Sequence, residues 1–314
     1  MNILVTGGAG FIGSHLCSRL LKEGYNVKCF DNFYNGNLNN IRGLFNHESF
    51  QFIKGDVRDM TLLRESCRDV DHVFHLAAQI HVERSLISVD ETFDINIRGT
   101  RNVLELCKEN KKIGMTFASS AEVYGGGFHG ESSPLNPQSP YAASKVASEA
   151  MCVAYHHAYG TNVRILRNFN TFGPRQKSHG YGAVIAIFTQ RVMNDKSPII
   201  YGDGSQTRDY QYIDDAIECY VLSLDMPSGE VCNTGSGEEY TINDIATRII
   251  HEFSETSVEP IHVDPRPGEV MALRADIKKL NGYGYYPRVG FDEGLKKFVK
   301  WSREYSFESL GYMT

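Results

Sequence analysis

Leu4-Val5-Thr6-Gly7-Gly8-Ala9-Gly10-Phe11-Ile12-Gly13, near the start of the chain, carries the clearest structural signal in the sequence. An apolar strand, Ile3 to Val5, runs straight into glycines spaced GxxGxxG, and from Phe11 to Leu21 the apolar residues recur with the period of a helix. The segment therefore reads as strand, turn, helix. Gly7 permits a tight turn, Gly10 lets a pyrophosphate approach the backbone, and Gly13 lets the helix pack closely on the strand, while the helix N-terminus attracts phosphate charge. Such a turn is the entrance to a dinucleotide site. The second strand, Asn26 to Phe30, ends at Asp31, where a carboxylate can hold the adenosine ribose hydroxyls. A 2′-phosphate would be repelled there and finds no basic neighbour in Asp31-Asn32-Phe33, so the expected cofactor is NAD. Gly55-Asp56-Val57 follows a third strand and is expected to set Asp56 against the adenine amine.

Strands and helices go on alternating. Val73 to Leu76, Gly114 to Ala118 and Val163 to Arg167 read as strands, and Val89 to Lys108 and Tyr141 to Tyr159 as helices. The expected fold is α/β, a Rossmann-type doubly wound parallel sheet with a smaller C-terminal substrate-binding domain. Residues 1–172 form the NAD-binding part. Residues 173–314, where Gly and Pro punctuate the rhythm, form mainly the substrate-binding part, with part of 205–235 returning to the first. The 314 residues are 41% hydrophobic, enough for a large core. A net charge of −6 provides no field to attract nucleic acid or an anionic membrane. The seven cysteines are scattered and never spaced CxxC, which argues against a disulfide framework and a zinc site and fits a reducing cytoplasm. His156-His157 are adjacent on a helix and point apart, so no metal is expected. No apolar run approaches the length of a membrane span, and no leader precedes the first strand.

The chemistry is expected at the C-terminal ends of the middle strands. One of them delivers Ser119-Ser120-Ala121-Glu122-Val123-Tyr124 to that edge. Ser139 can cap the next helix and Pro140 suits its first turn, so Tyr141 begins the helix and Lys145, four residues on, shares its face. A free tyrosine has a pKa of about 10, which a nearby ammonium and a nicotinamide cation would lower. Tyr141 then acts as base on a sugar hydroxyl, Ser120 bonds the same oxygen, and Lys145 also holds the nicotinamide ribose.

With these residues in hand, the chain resembles the extended short-chain dehydrogenase/reductase family, specifically its NAD-dependent nucleotide-sugar epimerases and dehydratases. The motifs are the glycine turn, His75-Leu76-Ala77-Ala78, Asn96-Ile97-Arg98-Gly99-Thr100, Ser120 with Tyr141 and Lys145, Phe169-Asn170-Thr171-Phe172-Gly173-Pro174-Arg175, and Thr207-Arg208-Asp209-Tyr210. The resemblance implies that Phe11, Ile12, Asn32, Val57, Leu76, Ala77, Ala78 and Asn96 join the glycines, Asp31 and Asp56 around NAD. It implies Asn170, Arg208 and Arg266 as contacts of the substrate diphosphate, whose charge suits planar guanidinium donors. A homodimer pairing the helices Val89 to Lys108 and Val146 to Tyr159 is also implied.

The branches of this family diverge after oxidation at the sugar C4. A 4-epimerase needs Tyr141, Ser120 and room for the keto sugar to turn, whereas a 4,6-dehydratase must also remove the C5 proton and protonate the leaving C6 oxygen. Glu122 suits that task, and His81-Val82-Glu83-Arg84-Ser85 resembles a dehydratase segment. Ala121, however, stands where thymidine-diphosphate-glucose dehydratases usually carry an aspartic acid, and Arg266-Pro267-Gly268-Glu269 looks equally like uridine-diphosphate-sugar 4-epimerases. A decarboxylase of uridine-diphosphate glucuronate, a cofactor-releasing reductase and a non-catalytic NAD-binding sensor are further alternatives. Proton abstraction gives a carboxylate a reason to sit beside a hydride-transfer site, which favours elimination. Asn168 replaces the aromatic or proline residue expected before Phe169-Asn170, and Leu273 falls where some epimerases gauge the size of an N-acetyl group.

Overall fold

Ile3, Leu4 and Val5 are each fully buried, which an alternating half-exposed strand would not allow. They lie in β1 (Asn2–Thr6), the middle of a sheet covered on both faces. In the computed structural model, which describes residues 1–178, 183–253, 256–265 and 270–305, β1 is followed by α1 (Phe11–Lys22), β2 (Asn26–Asp31), β3 (Phe50–Lys54) and β4 (His72–His75). Next come α2 (Gly99–Glu109), β5 (Gly114–Ser120), α3 (Pro140–Tyr159) and β6 (Val163–Asn168), and later β7 (Val231–Thr234). These strands form one parallel sheet in the order β7-β6-β5-β4-β1-β2-β3. The order reverses between β1 and β4, and such a switch point opens a crevice at the strands' C-terminal ends. Ile3 and Val5 pack with Leu16 and Leu20 of α1 on one face, and Leu4 with Val73, Val103 and Met115 on the other.

Gly127–His129, which precedes α3, joins Asn170–Phe172, Thr207–Tyr212, Glu239–Thr241 and Ala272–Ala275 in a second sheet. A short parallel pair, Ile199–Tyr201 with Ile261–Val263, stands apart from it. The helix expected over Val89 to Lys108 is interrupted. Val89–Phe93 and α2 are α-helical, but Asp94–Arg98 between them is a π-helical turn. The Asn96 carbonyl accepts the hydroxyls of Thr100 at 2.6 Å and Ser148 at 3.1 Å, and such side-chain competition for a carbonyl loosens the regular ladder. All seven cysteines are buried free thiols. Among the described residues no helix is long and apolar enough to cross a membrane.

Two buried histidines stitch the sheet. His75 bridges Thr6 Oγ1 at 2.7 Å and Thr100 Oγ1 at 3.1 Å, and His72 bonds Thr116 Oγ1 at 3.0 Å. Burial drives both from 6.5 to about 3. Between these values the unfolded chain binds more protons, so their contribution is complete above about pH 6.5 and is lost as pH falls towards 3. The raised carboxyl pKa values of Asp31, Asp209 and Asp215 act in the opposite sense, so the useful measurement is a difference. The unfolding temperature of His75→Gln should fall less steeply than that of wild type over this window. Parallel curves would show that His75 does not titrate on unfolding.

Candidate active site

A cleft of about 830 Å³ crosses the C-terminal ends of the strands, beneath the second sheet. Its floor is the glycine turn. Gly7 has φ +71° and presses on the end of β4, so a Cβ there would lie 2.8 Å from Ala77 N. Gly13 lies against the same turn, and a Cβ there would come within 2.2 Å of Gly7 O. Gly13→Ala must therefore push α1 off the strand, at about 3 kcal/mol. The expected result is a clear drop in unfolding temperature together with loss of NAD retention, and an unchanged melting curve would contradict the packing. Gly10 caps α1 with no side-chain bond. The first-turn amides thus face the cleft in the way that suits a pyrophosphate.

Where β2 meets the cleft, Asp31 is 6% exposed and accepts from Phe33 N at 2.7 Å and Ala9 N at 3.0 Å. Burial raises its pKa, while these amides and the charge of Lys177 oppose the rise. Asp31-Asn32-Phe33 itself holds no basic residue, but Lys177, from a distant segment, lines the same cleft. Asp56 also lines it, but its carboxylate is taken. Oδ1 accepts from Arg58 N and Nε at 2.9 Å each, and Oδ2 from Arg58 Nη2 at 2.7 Å and Asn32 Nδ2 at 2.9 Å. Four donors already share its two oxygens, so a bond to the adenine amine would compete with Arg58 and Asn32. The Arg58 bonds also hold this carboxyl below its usual range.

Phe11, Ile12, Asn32, Val57, Leu76, Ala77 and Ala78 all line the cleft. Asn96 does not. Its amide is spent on the backbone of Gln79 at 2.8 and 3.0 Å and on Ser144 Oγ at 2.9 Å, which makes it a strut between the end of β4 and α3. A cation that sequence reasoning gave no role is Arg175, whose Nη1 lies 3.2 Å from Ser14 Oγ in the first turn of α1. Its motif places two cations, Arg175 and Lys177, just after a Gly-Pro turn, and that was the available signal. His15 ties this segment down by bonding Pro174 O at 2.9 Å.

At the reaction end, Ser139 caps α3 by accepting from Ala142 N, with Pro140 in the first turn. Tyr141 and Lys145 are brought together with Ser120 of β5 on the cleft wall. The Tyr141 hydroxyl is pushed up to about 12 by burial, against a hydrogen bond with Ser120, and the Glu122 charge pushes it further up. This departs from the expected depression by Lys145. The ammonium is turned aside: Lys145 Nζ donates to Ala118 O at 2.8 Å and lies 4.9 Å from the Phe117 ring centre but 5.9 Å from that of Tyr141.

Glu122 sits on the short 3₁₀ turn Ala121–Tyr124, and its N–H donates to Ser120 Oγ at 3.2 Å. Its carboxyl pKa is raised by burial, lowered by Arg208 and raised again by Glu83. The group thus lies near Tyr141, Arg208 and Glu83, which line the cleft, although half-buried Glu122 is not itself among the lining residues. Ala121 is 3% exposed in an apolar cluster with Phe169 and Leu273. Leu273, 2% exposed in the same cluster, does not line the cleft. Asn168 does line it, donating to Ser119 O at 3.0 Å and accepting from Thr234 Oγ1 at 3.0 Å. Asn170 and Arg208 face the cleft from the second sheet, whereas Arg266 lies outside the described residues.

A family model described as GDP-mannose 4,6 dehydratase matches residues 4–298. A putative UDP-glucose 4-epimerase of Methanocaldococcus jannaschii is 38% identical over 96% of this chain and 98% of its own length. A dTDP-D-glucose 4,6-dehydratase of Bos taurus is 34% identical over 96% and 88%. Among solved structures, the dTDP-glucose 4,6-dehydratase DesIV of Streptomyces venezuelae, with NAD bound, superposes with a TM-score of 0.93 at 34% identity, covering 99% of this chain and 100% of that one.

Proposed function

This chain belongs to the NAD-dependent nucleotide-sugar epimerase/dehydratase group of extended short-chain dehydrogenases, and from that premise we propose that it oxidises the sugar C4 and then eliminates water across C5 and C6. Its cofactor is NAD, and the uncapped α1 amides, the glycine cradle and Asp31 suit it. Bound NAD would accept the C4 hydride and, once water has left, give it back to C6 as C5 takes up a proton, so that each turnover ends with the cofactor oxidised. Tyr141, ionised once the nicotinamide cation offsets the burial that holds it up, takes the proton of the C4 hydroxyl, Ser120 bonds the same oxygen, and Lys145 binds the nicotinamide ribose. Arg208 and Asn170, with Arg266, hold the diphosphate. Glu122 removes the C5 proton, made acidic by the C4 ketone, and passes a proton to the departing C6 hydroxyl. One carboxyl thus serves as base and then acid.

The observation that carries this reading is the placement of Glu122. It is a half-buried carboxyl with a raised pKa, close enough to Tyr141 for its charge to be felt there. A pKa moved towards neutrality is what a group that must both take and give a proton requires. A specific observation favours the second reading, a UDP-sugar 4-epimerase: Ala121 is packed in an apolar cluster, so no second acid stands at that position. Incubation with uridine-, thymidine- and guanosine-diphosphate sugars, followed by product mass, separates the two. Loss of water supports elimination, and a new isomer of unchanged mass overturns it.

A homodimer through the helical face is part of the same proposal. Val89 and Phe93 ahead of the π turn, and Val153 on α3, are exposed apolar side chains on the helices expected to pair. Val153→Asp should halve the particle mass measured by light scattering, and a wild-type monomer would end this part of the reading.

A further inference from the structure

Glu149 is a buried carboxylate that none of the chemistry above uses. It lies on α3 one helical turn beyond Lys145, so the two share a face, and they are 3% and 4% exposed. Arg167 of β6 clamps it in a fork, with Nη2 to Oε2 at 2.7 Å and Nε to Oε1 at 3.0 Å. The rest of that guanidinium is committed as well: Nη1 donates to the Tyr124 hydroxyl at 2.7 Å and to Glu131 O at 3.0 Å. The carboxylate is thereby fixed at one place behind the reaction site. Fork geometry of this kind gives position as well as attraction. Stability alone is a poor reason for such a pair, because apolar residues of similar volume usually do as well in a core.

We propose that Glu149, held by Arg167, is a positioning residue that keeps Lys145 in its charged form at the reaction site. The proposal rests on the role given above to Lys145. Burial brings the Lys145 ammonium down to about 8, and Glu149 is the leading group that opposes this, followed by the Cys152 thiol. Among the described residues no other carboxylate raises Lys145. From β5 come the Ala118 carbonyl and the Phe117 ring, from β4 comes His75, which is held neutral, and its own helix adds Tyr141, whose phenol burial pushes up. A carboxylate locked one turn away can hold the positive charge there without touching substrate or cofactor.

The test is an NMR titration of isotope-labelled lysine side chains in the NAD-loaded protein, with Lys145 assigned by the signal lost in Lys145→Met. In Glu149→Gln the Lys145 midpoint should fall by about one unit or more, and Glu149→Asp should stay near wild type. The glutamine variant strands the Arg167 charge, so Glu149→Gln/Arg167→Met is measured beside it and should also titrate low. The alkaline limb of the kcat profile should move with the midpoint. The proposal is overturned if the midpoint of folded Glu149→Gln stays within about 0.3 unit of wild type. It is equally overturned if the double variant returns to the wild-type value, which would assign the single variant's shift to the stranded guanidinium. A lowered midpoint with an unmoved kcat profile supports the coupling and instead removes Lys145 from the proposed chemistry.

Discussion

Tyr141→Phe is expected to reduce turnover by about 10³-fold while leaving the fold intact. The substitution removes one hydroxyl. The ring is 8% exposed and stays packed, and what disappears is the hydrogen bond with Ser120 and the group that takes the C4 proton. Oxidation at C4 precedes every branch of the chemistry, so dehydration, epimerisation and decarboxylation should all fail together. No transient reduced nicotinamide should be seen on mixing with substrate. Ser120 and Lys145 remain in place, so substrate binding should change little and the loss should fall on kcat, as expected for an interaction made in the transition state. Rapid-mixing absorbance of reduced cofactor, together with product analysis, is the measurement. Turnover within about tenfold of wild type would remove Tyr141 from its assigned role.

Glu122→Gln should separate the two halves of the reaction. The amide keeps the shape of the carboxyl but cannot relay a proton, so elimination should drop by about 10²- to 10⁴-fold. Oxidation should survive, and for a stated reason. The Glu122 charge is one of the groups holding the Tyr141 hydroxyl up near 12, so removing that charge makes the phenol easier to ionise. Reduced cofactor should therefore appear at least as fast as in wild type and then persist, because the next step is blocked. A 4-epimerase would behave differently, since its keto sugar needs only to turn and be reduced again, and Glu122→Gln would isomerise at close to the wild-type rate. Wild-type dehydration by the variant would take Glu122 out of the mechanism altogether.

Much of the site could be read before folding because its decisive spacings are local. The glycine turn works through contacts between residues three to six apart, as the 2.2 Å approach of a Gly13 Cβ to Gly7 O makes plain. The Tyr141–Lys145 pair depends only on one helical turn, and Ser139-Pro140 marks where that helix begins. Asp31 follows from the end of a strand. The direction in which Lys145 acts could not be read this way. Its ammonium had a nearer acceptor in the Ala118 carbonyl, supplied by β5 from 27 residues away in sequence. Asp56 shows the same limit, since the position was legible but nothing local revealed that Arg58 and Asn32 would already share its two oxygens.

The sheet, the glycine turn, the Tyr141–Lys145 helix pair and the family were legible in the sequence alone, because strand, turn and helix geometry converts short spacings into positions in space. Only the tertiary structure decided the electrostatics around those positions. It brought Lys177 to Asp31, set Glu122 among Tyr141, Arg208 and Glu83, turned Asn96 into a strut, and locked Glu149 behind Lys145 with Arg167. The physical reason is that ionisation and hydrogen-bond saturation depend on how closely a group is surrounded and by what. Those neighbours come from strands and loops that only the folded chain places side by side.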